Sequence, residues 1–179
     1  MKKLTQRTVL LLAFGSMFFA CKDEETKKED PKPNTPIVTP ITMASLKGSW
    51  KSSGTNQAKA DQSGYSESIL SVNGDSTCSW TKVSKSGAAN NLIMTGRLTL
   101  TPSNIKDSAG YPIDYIAFTF DKINGQSFSG TTFGIYQAKE TSLKLDWIFY
   151  RSGVTTAEPD KGWGSSSEGL SALSTYTKQ

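Results

Sequence analysis

The sequence predicts an all-β domain, an eight-stranded antiparallel up-and-down barrel, carried behind a leader and a tether. Three observations lead there. Beyond residue 41, apolar and polar residues alternate with period two in one segment after another; no 3.6-residue apolar period is sustained; and short clusters of Gly, Ser, Asn and Asp separate the segments. The stretch 41–179 is enough for one ordinary domain and too short for two.

The strands follow in order. The first covers Leu46 to Ser53. Ser66 to Val72 and Ser76 to Val83 flank Asn73-Gly74-Asp75, a hairpin signal because Asn and Gly accept the positive φ angles of tight turns. In Leu92 to Thr101, Leu92, Met94, Gly96, Leu98 and Leu100 share one face and Thr95, Arg97, Thr99 and Thr101 the other. Tyr111 to Asp121 places Ile116, Phe118 and Phe120 together, and Ser127 to Gln137 carries Phe128, Phe133, Ile135 and Tyr136. Thr141 to Arg151 sets Leu143, Leu145, Trp147 and Phe149 against Lys144, Asp146, Ile148 and Tyr150, the pattern of a sheet wet on one side. The last strand covers Leu170 to Lys178.

Eight such strands suit a sandwich or a barrel, and closure abolishes exposed sheet edges. An eight-stranded barrel is just wide enough to hold one small ligand. The long connection, Ser152 to Gly169, is rich in Gly and Ser and contains Trp163, which reads as a lid over the barrel mouth.

Ahead of the domain, Lys2, Lys3 and Arg7 precede an apolar run from Val9 to Phe19, too short for a mature membrane span. Residues 1–20 read as a signal peptide. The junction Phe18-Phe19-Ala20-Cys21 resembles a bacterial lipobox, although Phe18 stands where an aliphatic residue is usual. The resemblance implies acylation of Cys21, with enough buried chain for stable attachment to a membrane, as expected of an outer-membrane lipoprotein of the cell envelope. Residues 21–40 then form a disordered linker, with four prolines between Thr26 and Pro40 and few apolar residues. Semi-extended, it lifts the domain ~50–60 Å from the lipid. The acidic cluster Asp23-Glu24-Glu25 resembles the export signal of surface lipoproteins, and reads equally as a solvated linker.

Removing the leader also corrects the charge. Of 20 basic residues three are Lys2, Lys3 and Arg7, and the remainder nearly balance 16 acidic ones. That balance gives no electrostatic argument for a nucleic-acid partner. Cys78 is the one cysteine left in the domain and reads as a buried small hydrophobe. Histidine is absent, which removes Ser-His and Cys-His nucleophile activation and most zinc sites. Asp114, Asp121 and Asp146 read as solvated carboxylates, and no phosphate-cradling Gly motif opens a helix. The chain is therefore read as no enzyme, with no cofactor.

Two stretches carry a resemblance. Leu46-Lys47-Gly48-Ser49-Trp50 resembles the opening shared by the calycins, the group uniting lipocalins and avidins, in which a Trp closes the barrel floor. There a basic residue near the final strand packs over it, which implies Lys178 over Trp50. Phe128-Ser129-Gly130, then Leu145 through Gly153, Trp163, and Ser174 through Lys178 resemble the end of avidin and streptavidin in order and spacing.

The resemblance implies a pocket walled by Trp80, Phe120, Phe128 and Trp147, capped by Trp163, and given polarity by Ser52 and Ser174. The biotin contacts are altered: Trp80 falls near a Tyr, Ser174 replaces a carboxamide or carboxylate, and Ser52 stands near an expected Asn. Each hydrogen bond missing to a buried ureido group costs about 1–3 kcal/mol. The resemblance thus implies a cavity for a small molecule more than it implies biotin. The alternative is an interaction module or hydrolase inhibitor that meets a protein partner through its loops and outward Ile148 and Tyr150. Avidins assemble through the outer barrel face, so homo-oligomerisation is open as well.

Overall fold

Alternation becomes eight strands: β1 (Gly48–Ser53), β2 (Tyr65–Val72), β3 (Thr77–Ser84), β4 (Leu92–Thr101), β5 (Asp114–Ile123), β6 (Gln126–Ala138), β7 (Ser142–Phe149) and β8 (Leu173–Lys178). Each pairs antiparallel with its neighbours in sequence, and β1 pairs with β8 through Trp50 opposite Lys178, so the sheet closes into an up-and-down barrel. These positions belong to a computed structural model that describes residues 42–149 and 152–179. The expected signal peptide, the acylated Cys21, the linker, Tyr150 and Arg151 lie outside the described residues.

Three strand starts differ from the sequence reading by two residues or more. Leu46 belongs to a one-turn helix, α1 (Met43–Leu46), not to the first strand. Tyr111 precedes β5, and Leu170 sits in a 3₁₀ turn, Gly169–Ala172, ahead of β8. At the β2–β3 turn the left-handed φ falls on Ser76 (73°), not on Asn73 or Gly74. Asp75 Oδ1 fixes that turn by accepting from the Thr77 N–H at 3.0 Å and from its hydroxyl at 2.6 Å. The two-residue hairpin turn with both φ angles positive is Asn124-Gly125, between β5 and β6 (49° and 78°).

The barrel has a filled end and an open one. At the filled end Leu46 is buried beneath Trp50, whose indole N–H donates to the Leu46 carbonyl at 2.7 Å. Lys178 Nζ lies 5.1 Å from the centre of the Trp50 ring, as the calycin resemblance implies. Leu70, Leu98, Ile116, Leu143 and Leu145 pack the layer above. Two glycines make room for the curvature and the contents. A Cβ at Gly134 would come within 2.6 Å of Trp147 Cα on β7, and one at Gly130 within 2.6–2.8 Å of the Phe120 and Phe128 rings.

Candidate functional site

At the open end the inward positions change character. Along β3 the inward residues run Cys78, Trp80, Lys82; along β7, Leu145 then Trp147; along β8, Tyr176 then Ser174. Between them lies a cavity of about 250 Å³. Trp80, Trp147, Thr132 and Ser174 line it. Its rim comes from Asp61 of a short helix, α2 (Lys59–Gln62), and from Glu168 and Ala172 of the β7–β8 connection.

The two indoles meet across the barrel with ring centres 4.7 Å apart and planes tilted by 47°. A flat ligand between them would need ~7 Å, twice the carbon contact distance, so they form one bent wall. Phe118 backs that wall, 6.0 Å from Trp147 and 6.5 Å from Trp80.

Polar groups are sorted into those with partners and those without. The Trp80 indole N–H donates to Ser68 Oγ at 2.6 Å, and that hydroxyl shares a 2.9 Å hydrogen bond with Tyr176 OH. Burial pushes the Tyr176 phenol up to about 12, so it stays neutral. Lys82 is only 9% exposed, and its ammonium pairs with Asp61 Oδ1 at 2.6 Å. The same ammonium lies 4.4 Å from the Trp80 ring centre and 5.6 Å from that of Tyr65. Thr132 Oγ1 and Ser52 Oγ, both on residues 1% exposed, have no hydrogen-bond partner among the described residues. Buried hydroxyls of that kind are uncommon and ask for an explanation.

The seven residues expected at the pocket are divided. Trp80, Trp147 and Ser174 line the cavity. Ser52 is buried on the inward face of β1, two positions beyond Trp50. Phe120 and Phe128 do not line the cavity: their rings stack on each other at 5.6 Å toward the β5–β6 hairpin, with Phe128 46% exposed. Trp163 does not cap the mouth. It packs on the outer wall with Ile113, Ile135 and Ala157, under the Lys144 ammonium at 4.2 Å. The mouth is instead flanked by α2 and the Gly169–Ala172 turn, which touch each other.

The outer wall beneath that loop corrects two further expectations. Asp146 is fully buried rather than solvated, and accepts from the Gly164 N–H at 2.6 Å. Burial raises its pKa, against the hydrogen bonds from the Gly164 N–H and the Ser166 side chain. Ile148, expected to face a protein partner, is buried. Asp114 is also buried and accepts from the Ser103 N–H at 2.7 Å. In each case a loop covers a strand face that alternation alone assigns to water.

Sequence reasoning missed Lys82, Thr132 and Asp61. Two had a signal: Lys82 shares the parity of Cys78 and Trp80, and Thr132 that of Gly134 and Tyr136. Asp61 had none, because only the fold of the β1–β2 connection brings it to Lys82. Cys78, buried as expected, has its thiol pushed up to about 12 by burial and is held protonated.

No family model matches the chain, nor does any curated protein or solved structure. Fold and cavity together define a class of architecture, the closed eight-stranded antiparallel barrel with room for a small molecule, consistent with a calycin-like fold.

Proposed function

We propose that this protein is a lipid-anchored binding protein of the bacterial cell envelope, acylated at Cys21, whose barrel holds a small molecule at its open end. One observation carries the reading: the cavity beside Trp80 and Trp147 is lined by a nearly buried lysine, Lys82, ion-paired at its rim. A barrel evolved only for stability gains little from such a pair, since desolvating two charges offsets their attraction. Apolar walls with a few placed polar groups are the usual make-up of a ligand site, and the volume suits a ligand below the drug-sized range of about 300–1,000 Å³. Binding rather than catalysis fits a chain without histidine. Intrinsic fluorescence tests the reading. A small-molecule panel should quench emission in the parent, and Trp147→Phe should reduce the response while Trp163→Phe leaves it intact. Equal loss in both variants would refute the placement.

A second reading, a module that docks a protein, draws on the open groove of the outer wall between Thr99, Tyr115, Thr131 and Thr156. Capture of a partner that survives Trp147→Phe and fails on Tyr115→Glu would favour it. Mass spectrometry of the membrane fraction tests the anchor, which an unmodified thiol at Cys21 would remove.

A further inference from the structure

We infer that the cavity takes a small, flat, uncharged molecule bearing a carbonyl-type acceptor, which Lys82 Nζ donates to. This rests on the small-ligand reading above and specifies its chemistry.

The first step is hydrogen-bond capacity. An ammonium has three N–H donors, and among the described residues Lys82 Nζ donates to Asp61 Oδ1 alone. Two donors remain on a side chain that lines the cavity and is 9% exposed. The free capacity at Lys82 consists of donors only, so the ligand atom it meets is an acceptor.

The second step is charge. Lys82 and Asp61 neutralise each other, and Glu168 adds an exposed carboxylate to the rim. A ligand carboxylate would bring an uncompensated negative charge into a half-enclosed site beside Glu168. A ligand cation would meet the Lys82 ammonium, which already sits over the Trp80 face. Burying an unbalanced charge is costly, whereas a carbonyl satisfies the same N–H groups without one.

The third step is shape. Trp80 and Trp147 offer one bent aromatic wall with no slot between them, and about 250 Å³ accommodates a single ring system with a short substituent. A flat body against the wall with its carbonyl toward Lys82 uses the free donors of that ammonium.

Isosteric probes test this on the full chain: benzamide, benzoate and toluene, titrated by calorimetry with tryptophan emission as a second readout. Benzamide should bind at least tenfold more tightly than benzoate or toluene. Asp61→Asn removes the balancing charge but keeps a side chain of the same size, so it should move the benzoate-to-benzamide preference at least tenfold toward benzoate. Toluene binding as well as benzamide, benzoate binding more tightly in the parent, or a preference unmoved by Asp61→Asn would each overturn the inference while leaving a small-molecule cavity. Should none of the three bind at millimolar concentration, with emission unchanged, the small-ligand reading falls with it.

Discussion

Replacing Thr132 by Val should make the protein more stable. Thr132 sits on β6, 1% exposed, with its β-branch packed in the wall and its hydroxyl without a partner. Val keeps the branch and the strand preference and removes only the oxygen's demand for a hydrogen bond. A hydroxyl buried without a partner costs about 1–3 kcal/mol in proteins. Taking the lower end of that range, the gain is about 1 kcal/mol. For a domain of this size that raises Tm by roughly 3–5 °C. Scanning calorimetry of parent and variant without ligand reads the difference directly. A loss of more than about 1 kcal/mol would mean that the hydroxyl is needed by the fold, and would refute the argument from its idleness.

The contrasting hydroxyl is Ser68, which serves both Trp80 and Tyr176; Ser68→Ala removes the acceptor of the buried Trp80 N–H and one partner of Tyr176, and should cost about 1–3 kcal/mol by urea denaturation. Gly134→Ala puts a Cβ into the β7 backbone at Trp147, so it should abolish cooperative thermal unfolding of a soluble product, and a variant with near-parental Tm would contradict the packing. Asp146 has a pKa raised chiefly by burial, so the folded state holds its proton more tightly than the unfolded one. Its contribution is therefore fullest below the ordinary carboxyl range and is lost as pH rises through the raised value. Asp146→Asn, which still accepts from the Gly164 N–H, should flatten the fall in stability above pH ~4, and an unchanged pH profile would show that the carboxyl is not the source.

Strand order and closure were legible because alternation is a local signal and each inward set needs the same core. Leu143, Leu145 and Trp147 needed nothing beyond their spacing, and Lys178 over Trp50 is the contact that the calycin resemblance implies. What failed was everything decided by loops. Alternation assigns Asp146 and Ile148 to water, and only the path of the β7–β8 connection over the outer wall shows that they are covered. That same path draws Trp163 away from the mouth, where its ring finds Ile135 and Lys144 instead. Phe128 points along the correct face, but it lies too near the hairpin to reach the cavity, so face alone does not give height along a barrel. Lys82 was hidden by expectation rather than by pattern: a lysine at an inward position is read as a strand end unless a carboxylate is known to meet it, and Asp61 arrives from a different loop.

The most direct measurement of the central claim uses the four tryptophans as fixed reporters, one in the floor, two in the cavity wall and one on the outer wall. In a nitrogen–proton correlation spectrum, each indole N–H gives one resonance. Titration with a ligand of the open end should shift Trp147 and Trp80 while leaving Trp50 and Trp163 in place. A shift confined to Trp163, or binding that moves none of the four, would contradict a cavity inside the barrel.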